Sequence, residues 1–143
     1  MLSNTCKYAI RAVVYLSVYS SASKKIGIKE ISQKLELPSP FLGKILQSLA
    51  RNKLLISTKG PHGGFGLGRA SEDISLMDIV EIVDGPDIFE TCLVRTTICS
   101  DEEPCGIHDN ITGMRKELKQ FFIDQTIDDL ASEFKRDRKR IRI

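Results

Sequence analysis

Three of the chain's four cysteines, Cys92, Cys99 and Cys105, fall in one short stretch, with six and five residues between them, and His108 follows after two more. Thiolates are soft ligands suited to iron-sulfur clusters. An imidazole can replace one of them, at the cost of making affinity and potential depend on pH. Three Cys and one His also make a tetrahedral zinc set, yet structural zinc sites usually place paired cysteines two to four residues apart, and the gaps here are wider. The spacing therefore favours a cluster over zinc, with thiol redox sensing and inert cysteines as the remaining readings. A single His at the start of a helix is more often solvated or capping, but its place after Cys105 makes His108 a candidate ligand. Cys6 lies on an apolar helical segment and reads as a small core residue, with ligation in reserve.

Cysteines in a chain without an export signal should stay reduced, which favours metal or redox chemistry over structural disulfides. Residues 8–19, followed by Ser21, Ala22 and Ser23, superficially resemble a secretory signal. Arg11 breaks the apolar run, which suits a packed helix better than a cleaved peptide, so the expected compartment is the cytoplasm. No stretch approaches the ~20 apolar residues that span a bilayer. With 143 residues and 41% hydrophobic content, the chain can build one modest core.

The net charge of +2 is divided unevenly. Residues 1–70 carry eleven Lys and Arg against Glu30 and Glu36, residues 71–134 carry four against sixteen acids, and residues 135–143 return to +5. A basic first half provides what a polyanion-binding surface needs, because neutralising phosphates and releasing their counterions supplies most nonspecific DNA affinity. The acidic remainder is expected to face solvent or another protein chain.

The elements that must position these groups are legible from hydrophobic spacing. Between Asn4 and Tyr19 apolar residues fall on nearly every face, as in a central buried helix. Ile28, Ile31 and Leu35 mark a second, short helix. Ser39 as N-cap and Pro40 in the first turn start a third, with Phe41, Leu42, Ile45, Leu46 and Leu49 as its apolar stripe. Its opposite face is Gly43, Lys44, Gln47, Ser48 and Arg51, which completes a helix-turn-helix pattern. Residues 54–58 and 65–68 read as a hairpin around Lys59, Gly60, Pro61, His62, Gly63 and Gly64, whose glycines permit positive φ and close approach to a groove. Ser75 with Asp78, and Thr126 with Asp129, cap two further helices. Residues 86–104 show no sustained periodicity and read as a loop long enough to need a functional or disordered explanation. Beyond it, Ile107, Ile111, Met114, Leu118, Phe121 and Gln125 recur in alternating steps of four and three, a seam for which a symmetry-related copy is the simplest partner.

The fold class is thus mainly α with a small β-hairpin wing: a winged helix-turn-helix plus a long dimerisation helix. Residues 1–85 form the DNA-binding domain, 86–108 the cysteine-containing loop, and 109–143 the dimerisation helix, a short helix and a basic tail. Ser39, Lys44, Gln47 and Arg51 on the recognition helix, with Lys59, His62, Gly63 and Gly64 on the wing, are the candidate contacts to double-stranded operator DNA. Gln47 suits adenine, while Lys44 and Arg51 suit phosphates. The tail cations Lys135, Arg136, Arg138, Lys139, Arg140 and Arg142 are either a DNA-contacting arm or an ordinary basic end. There is no nucleophile with a base, no paired-carboxylate pocket and no phosphate-cradling loop, so neither an enzyme nor a small-molecule substrate is expected.

This order of elements, the wing sequence Lys59-Gly60-Pro61-His62-Gly63-Gly64-Phe65 and the three spaced cysteines resemble the IscR and NsrR type of bacterial regulator, over essentially the whole chain to about Phe134. The resemblance implies a dimeric DNA-binding regulator, repressor or dual, whose promoter affinity depends on whether its cluster is present, intact or in a given redox state. In the IscR branch a His just beyond the third Cys completes a 2Fe-2S site, which His108 matches. In other branches the non-cysteine ligand comes from near the start of the first helix, a part open here to Cys6 or a neighbour, and 4Fe-4S is the alternative cluster. The gap from Cys92 to Cys99 is one residue longer than in IscR, and Pro40 and Gly43 stand where IscR carries a polar reader. Relatives lacking the cysteines respond through partner proteins or other signals; the alternative here is a winged regulator controlled by a partner, thiol oxidation or structural zinc.

Overall fold

A computed structural model describes residues 1–137; the tail cations Arg138, Lys139, Arg140 and Arg142 lie outside the described residues. Helix α1 (Asn4–Tyr19) is the hub. It touches α2 (Ile28–Leu35), α3 (Ser39–Arg51), α4 (Leu76–Val83) and α6 (Ile127–Arg136), and five consecutive residues, Ala12 to Leu16, are buried, so no face is left to solvent along that turn and a half. The Ser3 hydroxyl caps α1 by accepting from the Cys6 N–H. Its backbone N–H donates to Asp84 Oδ2 at 2.9 Å, and its hydroxyl also bonds that carboxylate, which ties the start of α1 to the end of α4.

The turn between α2 and α3 passes through Glu36 in the left-handed region at φ 56°. A residue with a Cβ pays roughly 1–2 kcal/mol there, while glycine adds about 0.4–1 kcal/mol of unfolded-state entropy. Glu36→Gly is therefore expected to stabilise the chain by about 0.5 kcal/mol, read as a higher urea midpoint with an unchanged slope. In α3, Ser39 is not the cap. Pro38 occupies that position without a side-chain bond, and Ser39 lies in the first turn. Pro40 lacks one of the N–H groups a cap would satisfy, so less is left to cap.

The wing is an antiparallel pair, β1 (Leu55–Thr58) and β2 (Gly64–Leu67), in register from Leu55 opposite Leu67 to Thr58 opposite Gly64. Ile26 joins it as a third strand of one residue, exchanging backbone bonds of 2.9 and 2.8 Å with Phe65. This clips the wing to the connection between α1 and α2. The two expected capping boxes, Ser75 with Asp78 and Thr126 with Asp129, are both formed. They sit side by side, because Leu76 N–H donates to Gln125 O and Ile127 N–H to Ile74 O.

Helix α5 (His108–Asp124) divides the expected seam. Leu118 and its neighbour Phe122 pack against the chain's own core, whereas Met114 (64% exposed) and Phe121 (52%) face outward.

Candidate metal centre and nucleic-acid face

The cysteine segment is not shapeless. A 3-10 turn at Pro86–Phe89 seats the buried Phe89 ring 5.1 Å from that of Phe122 on α5. Thr91 then bridges Ile98 in antiparallel fashion, with Cys92 N–H donating to Thr97 O (2.9 Å) and Cys99 N–H to Glu90 O (2.8 Å). In that register Cys92 lies opposite Thr97, and Cys99 is two residues further along the same strand. Side chains alternate between faces, so the two sulfurs fall diagonally on one face. The six-residue gap is thus compatible with a register that places both thiols on the same side.

Helix α5 grips this small hairpin, with Arg115 donating to Thr91 O at 2.8 Å and Lys119 pairing with Glu90 at 2.8 Å. Cys105 arrives from the other direction, its carbonyl accepting from His108 N–H at the mouth of α5. The three Sγ atoms lie within 4.8 Å of one another, Cys92 buried and the other two half-exposed, and all four cysteines are free thiols. Backbone N–H groups of Arg95 (3.4 Å) and Val94 hold Cys92 down to about 7, with some help from Cys105 and Cys99 and against the effect of burial. A preassembled set of soft donors with one thiol already inclined to ionise fits a thiolate-binding metal or cluster.

His108 is buried, and its ring meets the group through Nδ1, which lies 3.1 Å from Cys99 Sγ. Its Nε2 meets Asp101 Oδ1 at 2.8 Å. Asp101 escaped the sequence reading, which took the acids of residues 71–134 together as facing solvent or another protein chain; its position two residues after Cys99 was the available signal. Cys6 stands apart in the α1 core. Burial first, then the nearby Asp84, pushes its thiol up to about 12, which suits a packing residue and not a thiolate ligand.

On α3, Lys44, Gln47 and Arg51 are exposed and Ser39 half-buried. Gly43 does not belong to that face. It is buried against α2, where a Cβ would meet Ile28 Cδ1 at 3.0 Å, so its smallness serves helix packing. Phe41 leaves the apolar stripe to stand 38% exposed, edge-on to Tyr8 at 6.0 Å. Gln47 and Arg51 line an open groove of about 850 Å³ between α3 and β1, together with Lys53 and Ser57, which the sequence reading did not single out. Lys59 and His62 are exposed at the wing tip, while Gly63 is partly buried against the wing's own backbone and Gly64 against that of Ile26 and Gly27. Arg69 turns back to Asp78 at 3.8 Å.

The profile of the Rrf2 family, described as an iron-dependent transcriptional regulator, matches residues 2–133. The chain belongs to the Rrf2 family. A protein of Aquifex aeolicus named as an HTH-type transcriptional regulator is 31% identical to this Rrf2 chain over 134 residues, covering 92% of each. Among solved structures, CymR (YrzC), the global cysteine regulator of B. subtilis, superposes with a TM-score of 0.77 at 25% identity, covering 93% of this chain and 97% of that one. T. potens IscR superposes with a TM-score of 0.74 at 19% identity, over 93% and 87% of the two chains, a likeness of fold. The expected winged-helix fold and the expected family kinship both hold. This Rrf2 protein is a transcription regulator, not an enzyme, and among its described residues no helix is long and apolar enough to cross a membrane.

Proposed function

We propose that this Rrf2 regulator acts in the cytoplasm as a homodimer on double-stranded operator DNA, and that Cys92, Cys99 and Cys105 hold an iron-sulfur cluster with His108 as the fourth ligand. The convergence of three thiols within 4.8 Å carries the reading. The contact of His108 with Cys99 favours a mixed Cys and His site, hence a 2Fe-2S over a 4Fe-4S cluster. When bound, the cluster supplies a group whose integrity and redox state answer to iron supply, oxidants and nitric oxide.

The chain's own residues would carry that state outward. The cysteine hairpin is fastened to α5 through Arg115 and Lys119, and the outer face of α5 offers Met114 and Phe121. Exposed apolar side chains of that size on a helix suit a second copy across a two-fold axis. A shift of the hairpin would then bias how the subunits pack and how far apart their wings stand.

Zinc is the second reading, and one observation favours it. Donors about 2.3 Å from one tetrahedral ion stand about 3.8 Å apart, close to the compactness of these three sulfurs. Zinc would be structural, and DNA affinity would then ignore oxidants and nitric oxide.

For DNA, Ser39, Lys44, Gln47 and Arg51 would enter the major groove side, with Lys59, His62, Gly63 and Gly64 at the wing. Gln47→Ala is expected to cost about 1–3 kcal/mol on the preferred operator and relax discrimination at one base position. Lys44→Ala should weaken all sequences alike and lower the salt slope by about 1. Binding titrations of selected and scrambled duplexes at several salt concentrations separate the two. Equal losses on both duplexes for Gln47→Ala would remove it as a reader.

A further inference from the structure

We infer that Asp101 is a positioning residue that fixes the tautomer of His108, so that Nδ1 is the nitrogen offered to the sulfur group. The inference deepens the ligand role given to His108 above and rests on that reading for its consequence, though not for its geometry.

The His108 side chain is 9% exposed and its ring is held at both ends, Nε2 at 2.8 Å from Asp101 Oδ1 and Nδ1 at 3.1 Å from Cys99 Sγ. An ionised carboxylate only accepts, so Nε2 must carry the hydrogen. A neutral imidazole has one N–H, and Nδ1 therefore keeps its lone pair. In the metal-free chain that lone pair accepts the S–H of Cys99. With a metal or cluster bound, the same nitrogen is already bare and aimed at the space the sulfurs share. The backbone of His108 is fixed as well, its N–H donating to Cys105 O at 2.9 Å and its carbonyl accepting from Thr112 Oγ1 at 2.7 Å, so the ring has little freedom to present its other edge.

Asp101 itself is 95% exposed. A hydrogen bond from an imidazole to so exposed a carboxylate contributes little to stability, and removing the carboxylate opens no cavity. What it decides is which nitrogen is bare, as carboxylates that support metal-ligating histidines do generally.

The test is nitrogen-15 histidine labelling of the full chain, reduced and metal-free, at about pH 8, where an ordinary imidazole is neutral. Long-range proton-nitrogen correlation spectra assign the protonated nitrogen, with the exposed wing residue His62 as an internal standard. His108 is expected wholly as the Nε2–H form, Asp101→Ala should move it toward the mixture shown by His62, and Asp101→Glu, which keeps an acceptor-only carboxylate on an exposed side chain, should restore it. A proton on Nδ1 in the parent chain, or no change in Asp101→Ala, overturns the inference. In iron-loaded protein, Asp101→Ala should lose iron to a chelator about tenfold faster, with Asp101→Glu near the parent rate. Equal rates for Asp101→Ala and parent also overturn it. A chain that takes up no iron refutes the cluster instead, and the tautomer spectra still decide the role of Asp101.

Discussion

Alanine at position 64 is expected to lower the unfolding free energy by about 3 kcal/mol or more, because it combines a strained backbone with the loss of paired hydrogen bonds. Gly64 has φ +143°, a conformation a side chain rarely adopts, and its added Cβ would fall far inside contact distance of the Ile26 carbonyl oxygen. That oxygen is also the acceptor for Phe65 N–H. The clash cannot be relieved by rotating a flexible side chain. Ile26 must move, and with it the clip between the wing and the rest of the domain. Gly60 is the control, since at φ +104° its Cβ would enter open space. Gly60→Ala should cost only about 1 kcal/mol, from backbone strain alone. Urea unfolding of both variants measures the difference, and equal losses would place the cost of Gly64→Ala in its φ alone.

Removal of a sulfur should have the larger effect on the bound group. Cys92→Ala is expected to reduce iron per chain by more than the ~10–100-fold that loss of a mere supporting contact costs a metal site. Cys92 is the buried member of the triad and the thiol that two backbone N–H groups incline toward the thiolate. Cys6→Ala is the matched control. It removes a still more deeply buried sulfur from α1, so it should cost stability through packing while leaving iron content at the parent level. Iron analysis of anaerobically prepared protein reads both, and a Cys92→Ala chain that keeps its iron would remove Cys92 from the ligand set.

Much of the fold was legible because local chemistry and tertiary packing agree. The capping boxes at Ser75 and Thr126, the all-round burial of α1 and the glycine-rich wing are each written in a few adjacent residues. What was not legible depends on partners distant in sequence. Gly43 looks like an outer residue on a helical wheel, and only the approach of Ile28 makes it an inner one. Phe121 completes the sequence seam, but Phe122 is the residue that reaches Phe89 and the core. The triad was recognisable from thiol spacing alone. The hairpin that gathers it was not, because residues 93–96, Leu-Val-Arg-Thr, hold no glycine, proline or asparagine to announce a turn. Its closure comes from Glu90 and Thr91, each held by a cation on α5. Asp101 was hidden for the same reason: its role exists only once the loop has folded over His108.

Whether the three gathered thiols hold iron is measured most directly by counting iron, acid-labile sulfide and zinc per chain in anaerobically purified protein. Iron and sulfide in equal amounts, near two of each per chain for the favoured cluster, are the expected result. One zinc per chain, with neither iron nor sulfide, would contradict it.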